Sequence, residues 1–285
     1  MKHRIYKDRE CIMKTEVVKK LQNLQNLSWT RTRKSSGTAG SFLKAYSDIG
    51  EPKMYYKLSR FDSMNGIVGH ECVNEIIVDR LLTILGVEHL HYRLVHASIL
   101  IERKPYEVFL CASEDFKERN EHKIALDAYY QVECEDEMSL REFCIARGWE
   151  DYIYKVLAID FLILNRDRHG ANIEVLRDNK KRTLRLAPLF DHGLSLILED
   201  DDDRISAIDV LEDKRVQCCL GSTSVRENLN LIPKDKFPKF NRLLETDKQI
   251  IFQDLETVIS PILMEKTWEM IWRRWCYYES FCAQG

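Results

Sequence analysis

Residues 159–176 have the sequence IDFLILNRDRHGANIEVL, in which two apolar segments enclose a polar turn. The first apolar segment predicts the end of a buried helix, and residues 173–176 predict a short strand. The turn between them, residues 165–170, predicts an exposed loop that is held in place on both sides. Because catalytic side chains are often carried on such loops, Asp167 and Asn172 are the first candidate functional residues.

A second apolar segment that leads to an acidic residue lies downstream of Asn172. Residues 186–193 have the sequence LAPLFDHG, so that an apolar segment leads directly to Asp191, with a glycine two positions later. Phosphoryl transfer requires a carboxylate that orients the attacking hydroxyl and hard oxygen ligands that hold Mg²⁺ against the phosphates. Asp167, Asn172 and Asp191 supply these groups. The first two have the spacing of the kinase pattern H-R-D-x-x-x-x-N, and Asp191-His192-Gly193 takes the place of D-F-G.

The first half of the chain supplies residue types suited to binding a nucleotide. Residues 34–41, KSSGTAGS, form a small-residue loop whose backbone N–H groups suit phosphate oxygens. Lys57 lies in the predicted strand MYYKL, and Glu75 on the following helix is expected to pair with it. The adenine is expected to stack between apolar residues near 110–114. The candidate nucleotide-binding residues are therefore Ser36, Gly37, Thr38, Ala39, Gly40, Ser41, Lys57, Glu75, Cys111 and Glu114.

Hydrophobic periodicity divides the chain into a strand-rich half and a helix-rich half. In the first half it predicts a helix at 13–27, strands at 41–46 and 54–58, a helix at 71–85, and a hairpin formed by 92–101 and 108–111. In the second half it predicts helices at 140–147, 149–164, 236–259 and 261–282. We therefore predict an α+β fold of two lobes. A small strand-rich N-lobe covers residues 1–112, a larger helical C-lobe covers 113–285, and the hinge lies at 112–115.

Composition and charge argue against several other classes of protein. The net charge over 285 residues is −3 and no basic cluster is visible, so direct nucleic-acid binding is not expected. The nine cysteines do not form paired C-x-x-C motifs, which predicts reduced thiols and no structural zinc. Residues 1–10 are charged, and no apolar segment approaches about 18 residues, so neither a signal peptide nor a membrane span is expected. These features predict a cytoplasmic protein.

With these residues in this order, the sequence resembles the HipA-like kinases. LNRDRHGANIEVL and LAPLFDHGLSL resemble the catalytic core of that family, while KSSGTAGSFLKA, MYYKLS and NEIIVDRLLTILG resemble its compact CtkA-like members. The resemblance implies a protein kinase-like fold that uses ATP and Mg²⁺ to phosphorylate serine or threonine of a protein substrate. By residue it implies Asp167 as the catalytic base, Asn172 and Asp191 as metal ligands, and Lys57 as the phosphate-binding lysine.

The resemblance has further implications and two departures. Family members can phosphorylate a serine of their own small-residue loop, which makes Ser35, Ser36 and Ser41 candidate autophosphorylation sites. An antitoxin or another regulatory protein is an expected partner, as for the toxin of a toxin–antitoxin pair. The loop lacks the full G-x-G-x-x-G of eukaryotic protein kinases. The short segment before it predicts a minimal kinase core without the N-terminal subdomain of long HipA proteins.

Three alternative functions stay open at the level of sequence. The Asp–Asn–Asp arrangement does not specify what bears the hydroxyl, so a lipid or small-molecule kinase is the first alternative. A metal-dependent phosphohydrolase would use Asp167, His169, Asp191 and His192 as ligands, although it would not need Lys57 or the small-residue loop. A non-catalytic pseudokinase is the third alternative, although each catalytic position holds a competent residue type.

Overall fold

The computed structural model describes residues 17–32, 39–49 and 52–283. In chain order the first half contains strands β1 (Val17–Asn23), β2 (Thr30–Thr32), β3 (Ala39–Ser47), β4 (Met54–Lys57), β5 (Phe61–Asp62) and β6 (Gly66–Ile67), helix α1 (Glu71–Leu85), and strands β7 (Tyr92–Ile101) and β8 (Lys104–Glu114). Six of these strands form one sheet in the order β1-β7-β8-β4-β3-β2, while β5 pairs with β6 in a separate ribbon.

The inner strands of this sheet are β7, β8, β4 and β3. A two-residue turn joins β7 to β8, and its residues Glu102 and Arg103 have φ values of 50° and 67°, as a type I′ turn requires. Strand β4 pairs in antiparallel fashion with β8 on one side and β3 on the other. Lys57 therefore lies opposite Cys111 of β8 and Lys44 of β3, inside the sheet.

The helix predicted at 13–27 is wrong, because within its described part residues 17–23 form strand β1 and a turn follows at 25–26. The strand pairs in parallel with β7, with Val17 opposite Leu94 and Val18 opposite Val95. Adjacent β-branched residues favour extended backbone. A short isolated helix is only marginally stable, so pairing with the edge of β7 outweighs the helical spacing of the leucines.

Helix α1 has the bounds predicted from the sequence and is buried on nearly all sides. Every one of its 15 residues except Thr83 is buried. The helix ends at Gly86, whose φ of 73° is the left-handed conformation that glycine adopts without strain. Because α1 packs between the sheet and the second half of the chain, Glu75 and Asp79 are enclosed and require polar partners in the interior.

The second half contains most of the helices but also a small sheet. Its elements are β9 (Glu121–Ala125), α2 (Leu126–Glu133), α3 (Leu140–Ala146), α4 (Glu150–Ile163), β10 (Asp167–Arg168), β11 (Glu174–Asp178), β12 (Thr183–Leu186), α5 (Asp202–Ser206), β13 (Gln217–Cys218), α6 (Val225–Leu229), α7 (Asp247–Ile251) and α8 (Pro261–Ala283). Strands β12, β11 and β9 form a three-stranded sheet, and β10 pairs with β13. The half predicted as a helical lobe therefore also carries strands.

The helix predicted at 236–259 is wrong over most of its length, because only the five residues of α7 within it are α-helical. Pro238 has no backbone N–H to donate within a helix. Asp254 has a left-handed φ of 63°, which ends any helical continuation. Leu243 and Leu255 are nevertheless buried, so the apolar spacing reflects an irregular segment that packs on the core.

Two hydrophobic clusters stabilise these halves. The larger cluster joins α1 to α4 and α8, and the smaller one, which includes Leu58, Ala97 and Leu110, lies on the six-stranded sheet. Helix α4 is continuously buried from residue 156 to its end, which fixes the start of the turn that follows it. Among the described helices, none combines the length and apolar character that crossing a membrane requires.

Candidate active site

Lys57 is enclosed between two carboxylates. Its Nζ lies 2.8 Å from Oε1 of Glu75 on α1 and 2.5 Å from Oδ1 of Asp191. The side chains of Lys57 and Glu75 are 10% and 0% exposed, so water contributes little to their solvation. The fold thus brings together three residues that are far apart in the sequence.

Charge balance keeps the ammonium group of Lys57 protonated. Burial alone would lower the pKa of Lys57, but the negative charges of Asp191 and Glu75 raise this pKa well above its ordinary value. Lys44 adds a second cation, with its Nζ 3.5 Å from Oδ2 of Asp191. Two lysines and two carboxylates therefore compensate one another, which is the condition under which charged groups are tolerated in an interior.

Backbone hydrogen bonds fix the position of Asp191. Its N–H donates to the hydroxyl of Tyr92 at 3.2 Å, and the N–H of His192 donates to Oε2 of Glu75 at 2.8 Å. The φ of Asp191 is 60°, a left-handed conformation that Asp and Asn tolerate better than most other residues. Glu75 therefore joins helix α1 directly to the segment that carries Asp191.

Gly193 allows the backbone to approach Lys57 closely. A Cβ atom at this position would lie 3.1 Å from Nζ of Lys57 and 3.2 Å from the carbonyl oxygen of Glu71. We expect Gly193→Ala to displace Lys57 and to lower the free energy of unfolding by about 1–3 kcal/mol through overpacking. Because the sequence predicts that Lys57 binds ATP, affinity for nucleotide should fall at the same time, as calorimetric titration with a non-hydrolysable ATP analogue would measure.

Gly148→Ala is the control for this prediction. A Cβ at Gly148 would meet nothing within 4 Å, although the φ of 74° is unfavourable for alanine. This variant should therefore lose some stability while its nucleotide affinity stays unchanged. Equal affinity of Gly193→Ala and the unaltered protein for the analogue would show that the close approach to Lys57 has no role in binding.

The loop after α4 connects Asp167 with Asn172. Nδ2 of Asn172 donates to the carbonyl oxygen of Asp167 at 2.7 Å, and the N–H of Asp167 donates to Oδ1 of Asn165 at 3.1 Å. Nδ1 of His169 accepts the N–H of Ala171 at 3.2 Å, so this histidine shapes the turn. Its Nε2 lies 3.7 Å from Oδ2 of Asp167, beyond hydrogen-bonding distance.

Arg168 anchors this loop from inside the protein. Its guanidinium group donates to both carboxylate oxygens of Asp160 on α4, from Nε at 2.9 Å and from NH2 at 2.8 Å. Burial opposes the charge of Arg168, but Asp160 raises the pKa of the guanidinium above its ordinary value. NH1 also donates to the carbonyl oxygens of Asn172, at 3.0 Å, and Phe190, at 3.4 Å. One buried arginine thus positions both the 167–172 loop and the residue before Asp191.

A distant segment pairs with the same loop. Strand β13 lies parallel to β10, with the N–H of Gln217 donating to the carbonyl oxygen of Arg166 at 3.0 Å. The N–H of Cys219 donates to the carbonyl oxygen of Arg168 at 2.8 Å. The backbone that carries Asp167 is therefore held on one side by α4 and on the other by residues 217–219.

A cavity of about 450 Å³ opens beside Asp191 and Lys57. Its wall on the six-stranded sheet includes Tyr56, Cys111, Ser113 and Glu114, and its opposite wall includes Phe116, Lys123, Ala171, Glu174 and Phe190. The chain leaves the sheet after Glu114, close to the predicted hinge. Leu110 faces the hydrophobic core and does not line the cavity. The volume falls within the usual range for small-molecule sites, about 300–1,000 Å³.

Comparison with known proteins gives structural similarity only. No protein-family model and no curated protein matches this chain. The crystal structure of the Helicobacter pylori proinflammatory kinase CtkA is similar, with a TM-score of 0.62 and 15% sequence identity over 93% of this chain and 98% of that chain. The chain has the fold of this kinase. HipA of Shewanella oneidensis MR-1, solved in a toxin–antitoxin complex with HipB and operator DNA, gives a TM-score of 0.42 and 14% identity over 87% of this chain and 58% of that chain.

The similarity to CtkA confirms the predicted two-lobed, kinase-like α+β fold. It also confirms, at the level of the fold, the resemblance to compact CtkA-like kinases that the motifs indicated. In this kinase-like fold the cavity lies between the six-stranded sheet and the second half of the chain. Lys57 and Asp191 line the cavity, and Glu75 contacts Lys57.

The predicted site residues fall into three groups in the kinase-like fold. Lys57, Cys111, Glu114 and Asp191 line the cavity, while Glu75 lies behind Lys57. Asp167 and Asn172 do not line it, but Arg168 connects their loop to the segment of Asp191. Within the small-residue loop, Ser35, Ser36, Gly37 and Thr38 lie outside the described residues, and Ala39, Gly40 and Ser41 belong to strand β3.

Sequence reasoning missed four residues that complete this arrangement: Lys44, Tyr92, Asp160 and Arg168. Asp160 gave a usable signal, because a lone carboxylate within the apolar helix segment VLAIDFLIL requires a buried partner. Arg168 gave a weaker one, as a basic residue inside the turn. Lys44 and Tyr92 gave none, because their contacts with Asp191 arise only once the strands are paired.

The residues present fit a divalent cation that prefers oxygen ligands. Asp191 offers a carboxylate and Asn172 an amide oxygen, and Mg²⁺ prefers such ligands. The amide nitrogen of Asn172 is engaged with the carbonyl oxygen of Asp167, which orients this side chain. Arg168 donates to the carbonyl oxygen of Asn172 itself and to that of Phe190, the residue before Asp191, so it connects the two backbone segments.

Proposed function

We propose that this protein is an ATP- and Mg²⁺-dependent serine/threonine protein kinase. The observation that carries the proposal is the buried Lys57–Glu75 pair, which contacts Asp191 at the wall of a cavity of about 450 Å³ in a kinase-like fold. Phosphoryl transfer depends mainly on positioning and charge stabilisation, and a lysine held by a glutamate supplies both. This arrangement also supports assigning the cavity to ATP.

Each residue has a role in this proposal. Lys57 binds the α- and β-phosphates when these compete successfully with the carboxylate of Asp191 for its ammonium group. Glu75 keeps the side chain of Lys57 in position. Asp191 and Asn172 would hold Mg²⁺, which when bound neutralises phosphate charge. Asp167 orients the acceptor hydroxyl and accepts its proton. Lys44 is a second cation for the phosphates, because it already lies beside Asp191.

The acceptor is proposed from the resemblance to HipA-like kinases. A serine or threonine of a protein is the first choice, with Ser35, Ser36 and Ser41 as candidates for autophosphorylation. A lipid or small-molecule hydroxyl is the alternative. The cavity residues are assigned to ATP, the phosphate donor, and therefore do not specify the phosphate acceptor. A regulatory partner protein, such as an antitoxin, stays a prediction of the same resemblance.

The phosphohydrolase alternative finds less support. In the part of the chain that the structure describes, no three of its proposed ligands, Asp167, His169, Asp191 and His192, bring donor atoms within 4.8 Å of one another. The side chain of His192 is buried, and this burial, together with the charge of Arg168, lowers its pKa well below the ordinary value. We assign His192 to packing behind Asp191.

Incubation with γ-labelled ATP and Mg²⁺ tests the proposed function. We expect phosphate transfer to the protein itself or to an added protein substrate, and a rate about 10²–10⁴-fold lower for Asp167→Asn, because the amide cannot accept the hydroxyl proton. Asp136→Asn, which changes an exposed aspartate in the same half of the chain, is the control and should keep full activity.

Peptide mass spectrometry then distinguishes the remaining possibilities. Phosphoserine at position 35, 36 or 41 would identify the loop as an autophosphorylation site. Transfer to added lipid or to a small alcohol, with none to protein, would move the proposal to the alternative acceptor. Absence of ATP binding by the unaltered protein would contradict the kinase proposal as a whole.

A further inference from the structure

Asp79, His89 and His91 form a compact polar cluster outside the candidate active site. Oδ1 of Asp79 lies 2.8 Å from Nε2 of His89 and 3.0 Å from Nδ1 of His91. The side chains of Asp79 and His89 are 0% and 2% exposed, whereas that of His91 is 68% exposed. Among the described residues this is the group of His, Cys, Asp and Glu side chains whose ligand atoms all lie within 4.8 Å of one another.

The two ring nitrogens of His89 both face oxygen atoms. Nδ1 lies 2.7 Å from the carbonyl oxygen of Val87, which can only accept a hydrogen bond, so Nδ1 carries the proton. In the neutral ring Nε2 then presents its lone pair toward Oδ1 of Asp79, 2.8 Å away. Two lone pairs at this distance repel each other, so either a second proton on the ring, which makes His89 and Asp79 an ion pair, or a metal ion lies between them.

The surroundings of the cluster have the features that support metal ligands. A histidine that binds a metal usually donates its other ring N–H to a carbonyl or carboxylate, as His89 does to Val87. The second oxygen of Asp79 accepts the backbone N–H of Tyr92 at 2.6 Å, which fixes the carboxylate. Two buried ligands are thus oriented before any ion arrives, and the exposed ring of His91 completes the set at the surface.

We propose that Asp79, His89 and His91 bind a divalent transition-metal ion of the Zn²⁺ type. Two imidazole nitrogens and one carboxylate oxygen are a common three-ligand set for Zn²⁺, which takes water or another ligand in the fourth position. Tetrahedral bonds of about 2.0–2.2 Å require ligand atoms about 3.3 Å apart. The observed separations of 2.8 and 3.0 Å need only a small outward shift of the exposed His91 and the two buried groups.

The ion would connect segments on which the candidate active site depends. Asp79 lies one helical turn after Glu75 on α1, and His89 pairs with Leu189, two residues before Asp191. Tyr92 donates its N–H to Asp79 and accepts the N–H of Asp191 at its hydroxyl. An ion at the cluster therefore fixes α1 against the segments that position Asp191.

Metal binding can be measured without ATP, so its outcome is independent of the kinase proposal. The metal-free protein would be dialysed against Zn²⁺, and bound metal would be quantified by elemental analysis. We expect one ion per chain. His91→Ala should lower the affinity about 100-fold or more, since the loss of even an outer hydrogen-bond partner costs 10–100-fold. Because His91 is exposed, this variant should remain folded, which circular dichroism would verify.

His96→Ala, on strand β7 five residues after His91, is the control and should bind Zn²⁺ as the unaltered protein does. Co²⁺ as the probe separates this cluster from the cysteines, because thiolate ligands add a charge-transfer band that imidazole and carboxylate lack. A tetrahedral Co²⁺ spectrum without that band, lost in His91→Ala, is the expected result. No bound ion, thiolate-type spectra, or equal binding by His91→Ala would overturn the proposal and leave Asp79 and His89 as an ion pair.

Discussion

Replacing Asp191 with asparagine will lower the rate of phosphoryl transfer by about 10³-fold while the protein stays folded. The substitution removes the negative charge that faces Lys57 and that would hold Mg²⁺, and loss of one preorganised electrostatic group costs about 10²–10³-fold in similar sites. Asparagine is the informative replacement because Asp191 has a φ of 60°, which Asn tolerates and Ala does not. Lys57 keeps Glu75 as a partner, so no buried charge is left alone.

Transfer rates measured over a series of Mg²⁺ concentrations would test this expectation. The variant should need more Mg²⁺ for half-maximal rate, since one of two proposed protein ligands has lost its charge. Asp203→Asn, which alters an exposed aspartate of the acidic run 199–203, is the control. An Asp191→Asn protein with more than half of the normal rate would remove Asp191 from the proposed mechanism.

Replacing Asp160 with alanine will lower the free energy of unfolding by about 3–5 kcal/mol. The side chains of Asp160 and Arg168 are 7% and 1% exposed, and the substitution leaves the guanidinium group buried with no carboxylate partner. Asn165 would also lose its hydrogen bond to Asp160, and with it one fixed point of the turn. Urea denaturation followed by fluorescence would measure the loss.

Lys155→Ala is the matched control, because Lys155 is exposed on the same helix α4 and should change stability by no more than about 0.5 kcal/mol. The double variant Asp160→Leu/Arg168→Met should recover part of the loss, because it removes both charges together. Equal or greater loss in the double variant would show that the contacts of Arg168 with carbonyl oxygens matter more than its pairing with Asp160.

Local signals in the sequence were sufficient for the elements nearest the candidate site. The spacing of apolar residues, together with Gly86, predicted the bounds of α1 correctly. The apolar segment before Asn165 predicted the end of α4 to within one residue. Strand β1 could not be predicted in this way, because its partner β7 lies some 75 positions further along the chain. Its short leucine pattern fits a helix equally well when that partner is unknown.

The residues of the candidate site likewise fall into those that local sequence signals indicate and those that depend on distant parts of the chain. Asp167, Asn172 and Asp191 stand in motifs of fixed spacing, so the sequence alone was enough to predict roles for them. The contacts of Lys44 and Tyr92 with Asp191 depend on strand register and on the packing of the two halves. The Asp79, His89 and His91 cluster was equally invisible, because no spacing rule joins a helix residue to two histidines on a following loop and strand edge.

The pairing of β13 with β10 has a consequence for synthesis on the ribosome. Gln217 follows Arg166 by 51 positions, yet it supplies a hydrogen bond that holds the backbone beside Asp167. At about 5–20 residues per second, the ribosome needs roughly 3–10 s to add that interval. Over the last 26 positions of this interval, from Asp191 to Gln217, the nascent chain already contains Asp167, Asn172 and Asp191 but lacks the strand that pairs with the loop of Asp167. The loop that carries Asp167 therefore reaches its final geometry late, after the segment of Asp191 has also been made.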